Sequence, residues 1–336
     1  MNALFFSLNS VLPIILLSAF GFYLRTKNVF SQEFFLDGNK FCFKYAFMAL
    51  MFVNVYSMKT IGDIPWHLVG VAVAGVILLF CIGIPIVLIF VPKEKQRGVV
   101  HQSFYRSNFA VIGLAFASNM FGDEGMRNAA LMSALTVPLY NVLAVISLSM
   151  FIGQNAKSKV HPGKQLLLVL KNIVKNPLII GVLAGFICVL IRPLLGGWTI
   201  ATGQFSFVYK SIYTFSQLAM PMALVMLGGL FNLSNLKDQA SLITWATVVR
   251  LVLAPVLGMG IAFIAPHVFG FQPFSPAQLG ALLALYGAPQ AVASVAMAEE
   301  MGNDGELAAQ LLVWSTLFCA LTMFVYIAAL RGFGIF

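Results

Sequence analysis

Apolar runs of about twenty residues follow one another along this chain with short polar breaks, and that succession limits what the chain can become. A hydrocarbon core of roughly 30 Å takes about 20 apolar residues per helical crossing. Such runs lie near residues 4–24, 41–58, 67–92, 103–121, 127–152, 166–191, 211–231, 241–265, 277–298 and 307–330. Only helices and closed barrels satisfy the backbone in lipid, and these runs are too long and too uniformly apolar for barrel strands. The expected fold is an all-α membrane protein of ten transmembrane helices. Composition agrees, since 60% of the 336 residues are hydrophobic and 9% are charged, where a soluble domain carries roughly 25% charged residues.

The net charge of +9 does not point to nucleic acid, because the basic residues form no single stripe. They gather at alternate ends of the spans, as the positive-inside rule requires. With the amino terminus outside, fifteen Lys and Arg fall on the cytoplasmic side, against Lys59, Arg127, Arg192, Lys210 and Arg331 on the other. This orientation places both termini outside a plasma membrane, the inner membrane if the source is bacterial, with lipid as the surrounding partner. Met1-Asn2-Ala3 carries no positive charge and no small-residue cleavage site follows Leu24, so the first span reads as a retained helix. Cys42, Cys81, Cys188 and Cys319 stand singly in apolar spans and read as packing residues. The four histidines, His67, His101, His161 and His267, are far apart in sequence, and no metal or cofactor site is expected.

Self-comparison divides the chain in two. Pro13 is followed by Gly21-Phe22 as Pro177 is by Gly185-Phe186, and Phe121-Gly122-Asp123-Glu124-Gly125 with Thr136 matches Met301-Gly302-Asn303-Asp304-Gly305 with Thr316. Five spans is an odd number, so a second copy inserts upside down. The expected organisation is a five-helix repeat over 1–152, a basic cytoplasmic linker over 153–165 and an inverted five-helix repeat over 166–336. The insertion that lengthens the second copy falls between Gly196 and Lys210.

A transport site belongs on interrupted helices near the midplane, where unwound backbone exposes N–H and C=O groups. The strongest interruption is Leu285-Tyr286-Gly287-Ala288-Pro289-Gln290 in span nine, where Pro289 removes an N–H and crowds the preceding turn. In span four, Ser107-Asn108 followed by Gly113 offers a polar pair and a glycine without a proline. If both helices unwind and cross, the half-helices after Asn108 and Pro289 point about half a positive charge each at one place, and anions favour such ends. A proline kink or a helix-bridging Asn without any ligand is the plain alternative. The candidate ligand-binding residues are Asn108, Ser107, Gly113, Pro289, Gln290, Ser294, Asn54, Asn141, Thr136 and Thr316, the amides being the costliest to leave unused in a membrane.

Acidic residues lie only in loops or at span ends, so no carboxylate pair waits at the midplane for protons or sodium. Glu299 and Glu300 read as a solvated helix end, with a coupling role as the alternative. Arg250 is the most embedded cation, and snorkelling to the cytoplasmic surface is favoured over neutralising an anion. No nucleophile and base pair at depth suggests an enzyme.

At these residues the chain resembles the auxin efflux carrier family, whose bacterial members include permeases proposed for malate and other carboxylates. Ser107-Asn108-Phe109-Ala110-Val111-Ile112-Gly113-Leu114 is similar to the family's Asn-Thr-Gly-x-x-Gly-Leu-Pro segment, with Asn108 and Gly113 in register. Arg250 to Pro255 resembles the span-eight motif, Pro289 stands at the span-nine crossing, and Ala298-Glu299-Glu300 with Gly302-Asn303-Asp304 resembles the end of that span. Ala115 stands where the family has proline, and Phe109-Ala110 replaces Thr-Gly. The resemblance implies ten helices in two inverted repeats, with helices four and nine broken and crossing in a transport domain. It also implies a scaffold of spans one, two, six and seven with a homodimer contact, and elevator-like alternating access for a small carboxylate anion. A sodium-coupled bile-acid-type symporter and a non-transporting receptor are the rival expectations.

Overall fold

A computed structural model describes residues 3–57, 65–151, 177–195, 199–202, 204–230 and 239–336. Its regular elements are helical throughout. In chain order, α1 (Ala3–Thr26) leads to α2 (Gln32–Phe41), whose first turn is capped by Ser31 accepting the Phe34 N–H. A π-helical turn, Cys42–Ala46, joins α2 to α3 (Phe47–Tyr56), and α4 (Trp66–Phe90) follows. Next come α5 (Glu94–Tyr105), a π turn at Phe109–Gly113 and α6 (Leu114–Met150). Beyond them lie α7 (Pro177–Ile191), α8 (Ser206–Ser216) and α9 (Ala219–Gly229). The carboxyl-terminal part is α10 (Ala240–Val248), a π turn at Val249–Leu253, α11 (Ala254–Phe269), α12 (Pro276–Gly287), α13 (Ala293–Glu300) and α14 (Gly305–Gly332).

The continuous run of α6 hides a reversal. Gly122 adopts φ +56°, ψ −139°, a conformation that L side chains rarely take, and Phe121 before it is also non-helical. A Cβ on Gly125 would sit 2.1 Å from the Ala117 carbonyl oxygen. In a straight helix those residues would stand about 12 Å apart along the axis, so the chain doubles back at Gly122.

Six helices among the described residues are long and apolar enough to cross a membrane: Leu4–Thr26, Trp66–Phe90, Phe109–Met150, Ser206–Gly229, Ala240–Phe269 and Gly305–Gly332. The difference from the ten expected runs has local causes. Phe109–Met150 contains two of those runs, folded at Gly122. The runs at 103–121 and 277–298 are interrupted, and α5, α12 and α13 are only 12, 12 and 8 residues long. The first of these interrupted helices also begins at Glu94, earlier than its apolar run, because Gln96, His101, Gln102 and Ser103 are buried despite their polarity. The linker at 153–165 and all of 166–176 lie outside the described residues.

The chain forms two compact units, each drawing on both halves of the sequence. One comprises Met1–Leu12, Trp66–Pro162 and Asn232–Phe336; the other comprises Pro13–Pro65 and Gly163–Phe231. In the second unit α3 packs along α7, and Gly181 permits the approach, since a Cβ there would lie 2.2 Å from the Met48 carbonyl oxygen. The core of the first unit centres on α12, which is buried from Leu279 through Gly287. A capping box starts that helix: Ser275 Oγ accepts the Gln278 N–H, and Gln278 Oε1 accepts the Ser275 N–H.

Candidate functional site

Two interrupted helices meet in the first unit. The earlier break follows Tyr105: Arg106 is extended (φ −93°, ψ 99°), and Asn108 takes φ −77°, ψ 50°. No proline enforces it. Tertiary hydrogen bonds do so instead, because the Ser107 hydroxyl donates to the Leu285 carbonyl at 2.7 Å and the Asn108 N–H donates to the Pro289 carbonyl at 2.7 Å. The helix restarts from the Asn108 carbonyl, which accepts from the N–H groups of Val111, Ile112 and Gly113 at 3.4, 3.0 and 3.2 Å. Ala115, in the place of the family's proline, is an ordinary buried helical residue.

The later break follows Gly287. Ala288 is extended (φ −63°, ψ 151°), as the residue before a proline tends to be. The freed backbone groups find side chains: the Gln290 N–H donates to Ser315 Oγ at 3.0 Å, and Cys319 Sγ donates to the Gly287 carbonyl at 3.4 Å. Ser107 and Gln290 pair as an isolated antiparallel bridge, so the two extended segments run past one another.

Close packing holds this crossing. Gly113 brings its helix against α12, where a Cβ would stand 3.1 Å from the Ala284 carbonyl oxygen. Tyr286 is wedged into a socket of small residues: a Cβ on Gly258 would come within 2.3 Å of its ring, and one on Gly75 within 2.0 Å of its hydroxyl. That hydroxyl donates to the Val71 and Ala72 carbonyls at 3.2 and 3.4 Å. The end of α12 is thereby anchored to α4 and α11.

Two arginines are buried at the crossing, Arg106 at 2% exposure and Arg250 at 1%. Arg106 donates to Gln102 Oε1 at 2.7 Å, to Asn141 Oδ1 at 3.1 Å and to Met297 Sδ at 3.2 Å. Arg250 sits in the π turn Val249–Leu253, a widening of the helix that often marks functional sites. Its Nη2 donates to the Tyr286 carbonyl, while Nε and Nη1 have no partner among the described residues. The snorkelling expectation for Arg250 therefore gives way, because its guanidinium ends on a helix carbonyl inside the protein. Among the described residues no carboxylate pairs with either arginine. At the same crossing the Tyr140 hydroxyl is buried and lies 3.2 Å from Ser107 Oγ.

On the crossing segments stand buried polar atoms with no partner among the described residues: Asn108 Nδ2, both side-chain polar atoms of Gln290 and Ser294 Oγ. Buried polar atoms are almost always hydrogen-bonded, and four left open on two crossing segments form a receptive set. The other sequence-derived candidates are placed differently. Thr136 and Thr316 use their hydroxyls within their own helices, on the Met132 and Leu312 carbonyls at 2.9 and 2.7 Å. Asn141 holds Arg106. Asn54 belongs to the other compact unit, where its Nδ2 is buried with no partner among the described residues. The side chains of Glu299 and Glu300 lie outside the described residues.

Sequence reasoning missed Arg106 and Tyr140. Arg106 immediately precedes the Ser-Asn pair, and that adjacency was the available signal. The matched glycines of the two halves both have positive φ, +56° at Gly122 and +72° at Gly302. Beyond Gly302, Asn303 Nδ2 donates to the Leu148 carbonyl at 3.0 Å, and Asp304 accepts from Gln96 Nε2 at 2.9 Å. The far end of the second broken helix is thus tied to the start of the first.

No curated protein matches the chain. The family model described as membrane transport protein, the family of the auxin efflux carriers, matches residues 6–327 of 336. Members of that family are transporters rather than enzymes. With nearly its whole length matched and six apolar helices long enough to span a bilayer, this chain belongs to the membrane transport protein family and is an integral membrane transporter.

Proposed function

We propose that the protein is a secondary transporter of a small organic anion bearing a carboxylate, bound where the two interrupted helices cross. The observation that carries this reading is the pair of buried guanidinium groups, Arg106 and Arg250, with no described carboxylate beside them. Burying a cation costs several kcal/mol even after relaxation. An arriving carboxylate supplies the missing charge and accepts charge-assisted hydrogen bonds. The restarted helix after Asn108 and α13 add the positive ends of their dipoles, worth about half a charge each. Asn108, Gln290 and Ser294 provide uncommitted donors to orient the ligand.

In this reading the chain crosses the plasma membrane ten times as two inverted five-helix repeats, with both termini outside. The unit that holds the crossing carries its ligand through the membrane in an elevator-like movement, while the other unit serves as scaffold and homodimer contact. The test is uptake of radiolabelled malate, citrate and lactate into proteoliposomes containing the purified full chain. Saturable flux of at least one of them is the expected result. Absence of flux for all three, from protein shown to be folded, would refute the proposal.

A further inference from the structure

In interrupted transporter helices, unwound carbonyls and the carboxyl ends of half-helices are where co-transported cations bind. Those ends carry about half a negative charge. In this protein one such end is already occupied by a side chain. Arg250 places Nη2 on the Tyr286 carbonyl, in the last turn of α12 one residue before Gly287.

The guanidinium is fixed from behind. Its π turn exposes carbonyls that a regular helix would consume, and Tyr326 OH donates to one of them, that of Leu251, at 3.1 Å. The carbonyl it meets is fixed as well, because the Tyr286 ring fills the socket formed by Gly258 and Gly75. Arg106 is engaged otherwise, on the side chains of Gln102, Asn141 and Met297. Arg250 is therefore the cation that sits on a helix end.

We propose that Arg250 is a resident counter-cation: its guanidinium fills the place at the crossing that a diffusible coupling cation would otherwise take. Anion transport then requires neither sodium nor another co-ion. The inference rests on the anion-carrier reading above, but the vacancy it predicts on removing the side chain can be tested without any substrate.

The first measurement is thermal unfolding of the purified full chain in detergent, in choline chloride, in sodium chloride and in choline chloride with methylguanidinium. The wild-type midpoint should be the same in all three. Arg250→Ala, which leaves the Tyr286 carbonyl buried and unpaired, should unfold at lower temperature in choline and recover when methylguanidinium or sodium is added. The second measurement is proteoliposome uptake of radiolabelled malate, citrate and lactate. Wild-type flux should be equal in sodium and choline, whereas the variant should lose about tenfold or more in choline and regain flux with either added cation. Arg250→Lys should keep cation-independent behaviour in both measurements.

A wild-type protein that needs sodium for flux would overturn the proposal. So would a folded Arg250→Ala protein whose stability responds to neither cation. If Arg250→Ala does not fold, Arg250→Gln keeps most of the volume without the charge, and the same outcomes decide. Failure of all three carboxylates to move would defeat the anion-carrier reading while leaving the thermal comparison valid.

Discussion

The Asn108 N–H and the Pro289 carbonyl meet across 2.7 Å, so the backbone of residue 108 is committed to the fold while its carboxamide Nδ2 is left open. Replacing the side chain should therefore spare the structure and remove a ligand contact. Asn108→Ala is expected to express and fold like wild type and to lose transport by about 10- to 100-fold, the worth of one hydrogen bond to a charged group. Proteoliposome flux beside a thermal unfolding curve checks both halves. Wild-type flux would return Asn108 to a packing role.

Ser315 and Thr316 are neighbours with different duties. Ser315 Oγ accepts the Gln290 N–H at the break, whereas Thr316 Oγ1 donates to the Leu312 carbonyl one turn back. Ser315→Ala orphans a buried amide and should cost about 1–3 kcal/mol of stability. Thr316→Val should stay within about 0.5 kcal/mol, as substitutions away from such features do. Denaturation midpoints of the two variants, side by side, test the assignment.

Arg106 contributes charge and shape together, since its fork reaches both Gln102 and Asn141. Arg106→Lys keeps the charge but cannot span two acceptors as a planar group does. The expected order of half-saturating anion concentration is wild type lowest, then Arg106→Lys, then Arg106→Gln, with the last raised about tenfold or more. Equal values for Lys and Gln would show that the charge does not matter to binding.

The Tyr286 socket predicts a contrast between two glycines of α11. Gly258→Ala drives a methyl group into the Tyr286 ring, whereas Gly260 has nothing within 4 Å of its Cβ position. Gly258→Ala should destabilise by about 1–3 kcal/mol through overpacking. Gly260→Ala should be neutral or slightly stabilising, because glycine costs a helix about 1 kcal/mol relative to alanine. A reversed order of unfolding temperatures would contradict the packing described.

Much of the crossing was legible in the sequence because backbone chemistry writes itself into residue type. Pro289 cannot continue a helix, and a Ser-Asn pair inside an apolar run has few other uses. Arg106 was hidden for the converse reason. It ends a stretch opening with Glu94, Lys95, Gln96 and Arg97, which resembles a loop by composition and becomes helix through burial against the rest of the first unit. The fate of Arg250 turned on a π turn and a carbonyl 36 positions away, neither of which periodicity reveals. The use of Thr136 and Thr316 was not legible, because hydroxyl direction depends on rotamer, and both hydroxyls donate back within their own helices.

The bond from Ser107 to Leu285 joins residues 178 positions apart. During synthesis, Arg106 already has two of its three acceptors, Gln102 and Asn141, within its own part of the chain, and only Met297 comes later. Ser107 and Asn108 must wait, because Leu285 and Pro289 emerge long afterwards. The crossing, the proposed binding place, is therefore among the last features to exist, and a chain cut between the halves is expected to yield two pieces that hold no ligand until they meet.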